Sequence, residues 1–396
     1  MLRYLFCVVF FAIHAIVYGY LLPRSPRMHS TYLNSIKSAH VPFKIMQMDC
    51  ENENENENCV VLNNLYDYNC SSIMFGGPSS HQILLKWADS PKTILLLCKP
   101  EEDIKNAQKE AIGILLDRGH DVVVENTIFY ELKDHFDELY GSKNVGGTFK
   151  VIDNSTSPVV DLVVAFGGDG LLMHCNTLFQ SNQGIPPIMV FDFGSLGFLA
   201  PFKFENFVEH INKVMTETIF LTLRMRLQCT IWRDNKPCET YKVLNEAVLD
   251  RGPSPFLAMI DIECDDQHLT TVQGDGVILA TPTGSTAYSL AAGGSMVHPS
   301  VAAILLTPIC AHSLSFRPLL LPDSSTLFCT VPLDSRSNCW VSFDGKHRKE
   351  LQKGDRLEVK MSPYPMPTIN RLNFTADWFD ALRNGFQFNQ RARQGT

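Results

Sequence analysis

The chain has 396 residues, 45% of them hydrophobic, enough for a sizeable core and of a size for two domains plus extensions. A formal charge of -8 at pH 7, with no basic run, excludes a general nucleic-acid binder, whose grip on phosphate backbones depends on Lys and Arg. Twelve cysteines include no CxxC pair, and the neighbours Cys310 with His312 and Cys264 with His268 lack a second pair at zinc-finger spacing. They read as mostly buried free thiols of a reducing compartment, although the even count leaves a disulfide framework open.

The first segment in chain order is unlike the rest. Tyr4 to Leu22 is almost wholly apolar, with Arg3 ahead of it and Arg24 and Arg27 behind, as in a signal peptide or signal anchor, although His14 stands in its middle. No Asp or Glu precedes Asp49, and Arg24 to Lys44 is basic and hydroxyl-rich, the composition of an organelle transit segment. Residues 1–48 are therefore expected to form a two-part leader toward a secretory-route organelle such as a plastid. The alternative is a disordered tail on a cytoplasmic enzyme, or translation from Met28 or later. No stable membrane partner is expected unless this segment is retained. Glu and Asn alternate from Glu51 to Asn58, a tract too polar to offset its ordering entropy. Residues 49–90 are thus expected to be a low-complexity, disordered linker, with order beginning between Cys59 and Pro91.

Lys92 to Cys98 is a short apolar run, and Ile104, Ala107, Ala111, Ile112, Leu115 and Leu116 follow at helical spacing up to Gly119. Asp121 to Glu125, Asp161 to Phe166 and Ile188 to Phe193 are further runs apolar enough to be buried on both faces. Strands alternating with helices predict an α/β domain with a parallel sheet over 91–213. Beyond it, Phe220 to Trp232, Tyr241 to Asp250, Leu257 to Cys264, Val277 to Ala280, Thr326 to Val331, Trp340 to Phe343 and Arg356 to Lys360 read as strands between turn residues. With Asp344 and Gly345 as a hairpin turn, 214–370 is predicted to be a β-rich, sandwich-like domain. Over 371–396, Thr375 is placed to cap a helix whose Trp378, Phe379 and Leu382 share one side and pack back on the core. Asp261, Glu263, Asp265 and Asp266 read as the solvated face of a strand entering a turn rather than as metal ligands.

The sharpest local feature is Gly167-Gly168-Asp169-Gly170, directly after a predicted strand and before a predicted helix. In an open α/β sheet, ligands bind at the carboxyl ends of strands. Glycines there allow close approach to a phosphate, and a helix N-terminus offers unpaired N–H groups to an anion. A carboxylate in that setting would repel phosphate, so Asp169 needs a reason. General-base catalysis supplies one: a ribose hydroxyl is a poor nucleophile, and a nearby carboxylate can take its proton as a phosphoryl group arrives. The tetrapeptide alone also reads as a tight turn with Asp169 as helix N-cap. A second Gly-Asp-Gly, Gly274 to Gly276, precedes a strand, and Thr281 to Tyr288 follows. That segment crowds hydroxyls, a proline and an aromatic into one loop, suited to a ribose and an adenine, or else to an ordinary capped helix start.

Six ordered blocks resemble those of eukaryotic-type NAD kinases: GGDG from Gly167, GSLGFLAPF from Gly194, NEAVLDRG from Asn245, GDGVILATPTGSTAYSLAAGG from Gly274, PICAHSLSFRPLLLPDS from Pro308 and WVSFDG from Trp340. They extend over about Thr93 to Trp378. The resemblance implies transfer of the γ-phosphate of ATP to the 2′-hydroxyl of the adenosine ribose of NAD, giving NADP. Magnesium is expected to arrive with ATP, with no dedicated protein cage. By the same resemblance Asp169 is the general base, Gly170 lies beside it at the NAD site, and Gly167 and Gly168 are near the phosphates of ATP. Asn245 and Glu246 bind vicinal hydroxyls of NAD, Asp275 contacts the dinucleotide, and Thr286, Ala287, Tyr288 and Ala291 line its adenosine end. His312 and Arg317 fall in a block near the reaction centre, where a cation would steady the transferring phosphoryl. Each also fits a structural polar residue in a β-rich loop. A homodimer or homotetramer is expected by resemblance only. Leu171 stands where many relatives have Thr, and Ala311 where they commonly have Pro; neither departure touches Asp169.

There is no GxxxxGK[ST] loop, no HRD and no GxGxxG after a strand, so ATP is expected to be held by another arrangement and a hydride-transfer dehydrogenase is disfavoured. Two further readings stay open. One is a lipid or sugar kinase of a related GGDG family, which the blocks from Asn245 to Gly294 disfavour. The other is a non-catalytic dinucleotide-binding regulator, against which intact Asp169, Asn245, Glu246 and Asp275 stand.

Overall fold

The computed structural model describes residues 59–62, 82–87, 89–140, 147–152, 159–194 and 197–389. The leader expected over 1–48 and the Glu-Asn tract lie outside the described residues. The first half of the chain supplies β1 (Cys59–Leu62), β2 (Gln82–Trp87), β3 (Thr93–Cys98), α1 (Glu102–Asp117), β4 (Asp121–Val124), α2 (Asn126–Tyr140), β5 (Phe149–Val151), β6 (Leu162–Phe166), α3 (Asp169–Leu178), β7 (Ile188–Asp192), β8 (Phe202–Lys203), α4 (Phe207–Thr216) and β9 (Ile219–Arg224). Then come β10 (Leu227–Arg233), β11 (Lys236–Val243), β12 (Glu246–Asp250), β13 (Ala258–Cys264), β14 (Gln267–Gly274), β15 (Gly276–Ala280), α5 (Tyr288–Ala291), β16 (Ala303–Ile309), β17 (Leu319–Pro322), β18 (Leu327–Thr330), β19 (Cys339–Phe343), β20 (Lys346–Leu351), β21 (Arg356–Met361), β22 (Met366–Ile369) and α6 (Phe374–Asp380).

Strands apolar on both faces need cover on both, and the first sheet has it. Ten strands lie in the order β1-β2-β9-β22-β7-β6-β3-β4-β5, with β8 on β7. From β22 to β5 every neighbouring pair is parallel. On one face Ile94, Leu96, Val164 and Phe166 pack with Ile112, Leu115 and Phe136 from the helices; on the other Leu95, Val163 and Ala165 pack with Leu172 and Cys175 of α3. The chain builds outward from β3 to β4 and β5, then returns to the other side of β3 for β6 and β7. The order therefore reverses between β3 and β6, the switch point at which open α/β sheets leave a crevice.

The remaining strands form two antiparallel six-stranded sheets, β11-β10-β21-β18-β13-β14 and β17-β16-β15-β12-β19-β20. Their inner faces share one core, in which Leu227, Ile231, Ile260 and Val272 of the first meet Leu249, Val277, Ile304 and Val341 of the second. The predicted α/β domain followed by a β-sandwich is the fold observed. β13 shows the half-buried alternation, with Ile260 and Ile262 inward and Asp261 and Glu263 outward, and Asp265 and Asp266 take positive φ in the turn that follows. The described cysteines are free thiols, and Cys98, Cys175, Cys229, Cys329 and Cys339 are buried.

Several boundaries differ from the sequence reading. The run Phe220 to Trp232 is two strands, β9 in the first sheet and β10 in the sandwich; Tyr241 to Asp250 likewise divides between β11 and β12 in different sheets. Periodicity reports how deeply residues are buried and is silent on which sheet they join. β1 and β2, inside the expected linker, and β9 and β22, inside the expected second domain, all pair in the first sheet. Asn373, not Thr375, caps α6, accepting the Ala376 N–H at 2.9 Å. α6 packs back as expected: Trp378 meets the His298 ring at 4.9 Å between centroids.

Where the chain leaves β9 for β10 it carries Arg226, which is fully buried. Its Nε donates to Tyr364 O at 2.8 Å, and its Nη1 to Phe179 O at 2.8 Å and Asn176 Oδ1 at 3.1 Å, tying the sandwich to α3. A buried acceptor left without its donor costs about 1–3 kcal/mol. Arg226→Ala strands three such acceptors and is therefore expected to lose at least that much stability, read as a lower urea midpoint without change of slope.

Candidate active site

β3 and β6 end side by side at the switch point, with Cys98 opposite Phe166 and the Lys99 N–H donating to Phe166 O at 3.2 Å. The glycine after β6 makes room for the neighbouring lysine: a Cβ on Gly167 would stand 3.0 Å from Lys99 Cγ. Gly168 and Gly170 have open space where a Cβ would be, as a ligand-facing backbone requires. Gly168 is the N-cap of α3, and Asp169 is its first helical residue. The N-cap alternative for Asp169 is thus replaced by a longer reach. Its Oδ1 accepts the Leu199 N–H at 3.0 Å and its Oδ2 the Phe198 N–H at 3.1 Å. Gly197 permits this, since a Cβ there would stand 2.2 Å from Asp169 Oδ1. Burial pushes the Asp169 carboxyl above the usual range, against those two N–H donors and the Arg224 charge.

The Asn245–Glu246 corner is made by a residue from far along the chain. Asp344 and Gly345 take φ of 47° and 70°, forming the expected hairpin turn between β19 and β20. The Asp344 carboxylate accepts the N–H groups of Leu244 at 2.8 Å, Asn245 at 2.8 Å and Glu246 at 3.1 Å, and Asn176 Nδ2 of α3 at 3.0 Å. Asn176 is seven residues after Asp169, about 10 Å along the helix, so α3 connects the two carboxylate sites. Glu246 is 7% exposed, and its Oε2 is buried without a partner. Burial, then the nearby Asp344 charge, push Glu246 up to about 7, opposed by the Tyr288 N–H.

The Thr281 to Tyr288 loop closes on that corner. The Thr281 N–H donates to Asn245 O at 2.9 Å, and its hydroxyl donates to Leu244 O at 2.5 Å and accepts the Gly284 N–H at 3.0 Å. Gly284 is needed for the approach, because a Cβ there would come 2.2 Å from Asn245 O. Buried Arg224 joins this loop to the rest: Nε donates to Thr368 Oγ1 at 2.9 Å and Nη1 to Thr283 Oγ1 at 3.5 Å. Burial lowers its pKa to about 10, with Asp169 opposing. Thr286 and Ala287 are half-buried, and Tyr288 and Ala291 are exposed.

The fold therefore links Gly167, Gly168, Asp169 and Gly170 through α3 to Asn245 and Glu246, and these to Thr286, Ala287, Tyr288 and Ala291. It does not bring Asp275, His312 and Arg317 to them within one chain. Glu246 pairs with Ala280 whereas Asp250 pairs with Gly276, so Asp275 lies just beyond the opposite end of β15, about 17 Å away at strand rise. There it accepts from Arg251 Nε at 2.8 Å. His312 and Arg317 are exposed, and His312 lines a shallow cleft of about 270 Å³ with Thr270, Thr271, Gln273 and Phe316. Asp344, Asn176, Arg224 and Arg226 were not singled out from sequence for this site. Two arginines flanking Met225 inside an apolar run are a usable signal, since buried charges demand partners. Among the described residues no group of three or more His, Cys, Asp or Glu is placed to hold a metal ion.

Gly197→Ala drives a methyl into the Asp169 carboxylate and should cost about 1–3 kcal/mol as overpacking does. The check is the denaturation midpoint, together with faster hydrogen exchange at the Phe198 and Leu199 amides.

Comparison with known proteins follows the same two-part architecture. Residues 94–219 match the ATP-NAD kinase N-terminal domain, and 244–371 match the ATP-NAD kinase C-terminal domain. The chain is 46% identical over 333 residues to NAD kinase 2, chloroplastic, of Arabidopsis thaliana, covering 82% of this chain but only 33% of that longer protein. It is 38% identical over 370 residues to putative NAD kinase 3 of Oryza sativa subsp. japonica, covering 91% of this chain and 73% of that one. Among solved structures, yeast NADH kinase complexed with NADH is similar with a TM-score of 0.74 at 31% identity, covering 85% of this chain and 100% of that one. With both domains matched in order and the fold shared over most of its length, the chain belongs to the NAD kinase family.

Proposed function

We propose that this chain is an ATP:NAD 2′-phosphotransferase, moving the γ-phosphate of ATP to the adenosine-ribose 2′-hydroxyl of NAD to give NADP. The observation that carries the reading is the Asp169 carboxylate, held by two loop N–H groups at the mouth of the switch-point crevice and joined through α3 to the Asn245–Glu246 corner. Each Asp169 oxygen accepts one N–H and keeps acceptor capacity for a substrate hydroxyl. As the 2′-oxygen bonds to the γ-phosphorus, its proton passes to Asp169 and the bond from phosphorus to the bridging oxygen breaks, releasing ADP. Burial makes Asp169 a stronger base than an exposed carboxylate, while the two fixed donors keep its orientation.

Gly168 and Gly170 leave the backbone open toward phosphate, and magnesium enters as part of the Mg-ATP substrate, bound mostly by phosphate oxygens and water. Asn245 and Glu246 would hold ribose hydroxyls, and the Thr286 to Ala291 segment the adenosine end. That end is common to NAD and to the NADH carried by the yeast relative. A homodimer or homotetramer is part of the reading, and the exposed Leu314, Leu319 and Leu320 provide apolar surface for it. A plastid is the proposed compartment, supported by the leader composition and by two relatives described as chloroplastic.

Asp169→Asn tests the reading. Turnover of NAD and Mg-ATP to NADP should fall about 10²–10⁴-fold, the span of general-base contributions, in a protein that still folds but melts at a lower temperature, because the Asn amide can accept only one of the two loop N–H groups. Retained turnover in that variant removes Asp169 as the base.

A further inference from the structure

We infer that the single proton of the buried carboxyl pair Glu246 and Asp344 resides on Glu246, which meets the dinucleotide as a neutral acid donating from Oε2, with Asp344 as the positioning residue that keeps it there. The inference rests on the proposed function for the identity of the ligand. Asp344 Oδ1 accepts the backbone N–H of Glu246 at 3.1 Å, so the Glu246 carboxyl lies no more than its own side-chain length beyond that bond, and the Asp344 charge acts on it. Two like charges buried together are not both stable, so one of the pair takes a proton. A carboxylate has about four acceptor sites, and those of Asp344 are filled: Oδ1 by Asn245 and Glu246 N–H, Oδ2 by Leu244 N–H and Asn176 Nδ2. An O–H at Asp344 would point at a donor and break a bond.

Glu246 has the complementary situation. It accepts the Tyr288 N–H, while its Oε2 is buried with no partner, so a proton there displaces nothing and adds a donor that no protein group uses. The groups facing it are the Asp344 carboxylate from the hairpin turn and the Tyr288 N–H from α5. The cation Arg226 stands on the far side of Asp344, reached through Asn176, and so favours charge on Asp344 rather than on Glu246. Neutrality also suits a site that receives phosphates, because an ionised Glu246 would repel them. Burial raises both carboxyls, Glu246 to about 7. The O–H is therefore present below that pH and lost as pH rises through it.

Infrared titration of the full ligand-free chain tests the proton's place. Wild type should show a protonated-carboxyl band that disappears as pH passes about 7; the band should be absent from Glu246→Gln and move to lower pH in Asp344→Asn. In turnover with Mg-ATP, KM for NAD should rise about tenfold per pH unit above the midpoint while kcat stays level, as when only one protonation state binds. That rise should vanish in Glu246→Gln, whose side chain is a permanent donor. A band titrating at about 7 that survives in Glu246→Gln, or a wild-type KM flat across the midpoint, overturns the inference. Absence of any NADP formation overturns the proposed activity instead, and the infrared result then decides the proton's place alone.

Discussion

The Asp344 carboxylate accepts the N–H groups of three consecutive residues, Leu244 to Glu246, at the place where the chain leaves one sandwich sheet for the other. Crossing between sheets takes those N–H groups out of any ladder, and a buried N–H left unpaired costs about 1–3 kcal/mol. One carboxylate satisfies all three and also accepts Asn176 from the helix that begins at Asp169. That one side chain thereby joins the sandwich, the corner that carries Asn245 and Glu246, and the helix behind the GGDG loop, beside the bonds of Arg226 to the same helix.

Charge at the site follows from this arrangement. Asp169, Glu246 and Asp344 are raised by burial, and Arg224 and Arg226 are lowered by it. Both shifts run toward neutrality, the direction in which desolvation always acts. The arginines sit behind the carboxylates, bonded to Thr368, Thr283, Tyr364, Phe179 and Asn176, so positive charge is stored in the scaffold. Close approach is handled by glycines: Gly197 against Asp169 and Gly284 against Asn245 leave no space for a methyl group. Rigid elements therefore carry the chemistry, while Tyr288 and Ala291 remain exposed toward the opening.

Local chemistry was readable from the chain. The apolar stretches Ile94 to Cys98 and Ile188 to Phe191 are buried throughout, Gly119 ends its helix, and Asp344 with Gly345 turns a hairpin. GGDG was placed correctly at a strand's carboxyl end because strand, glycines and helix are contiguous in sequence. The boundaries inside Phe220 to Trp232 and Tyr241 to Asp250 were not readable, since each run crosses between sheets without losing its apolar character.

By itself the sequence determined the change from alternating strands and helices to strands alone, the block pattern of a nucleotide kinase and Asp169 as the candidate base, because these depend on residues near one another in the chain. Only the tertiary structure decided that β3 and β6 meet at the switch point, that Asp344 belongs to the site, and that Asp275 and His312 stand at the other end of β15. Those relations are hydrogen bonds and strand registers between residues far apart in sequence, such as Asn176 and Asp344, and spacing along the chain carries no information about them.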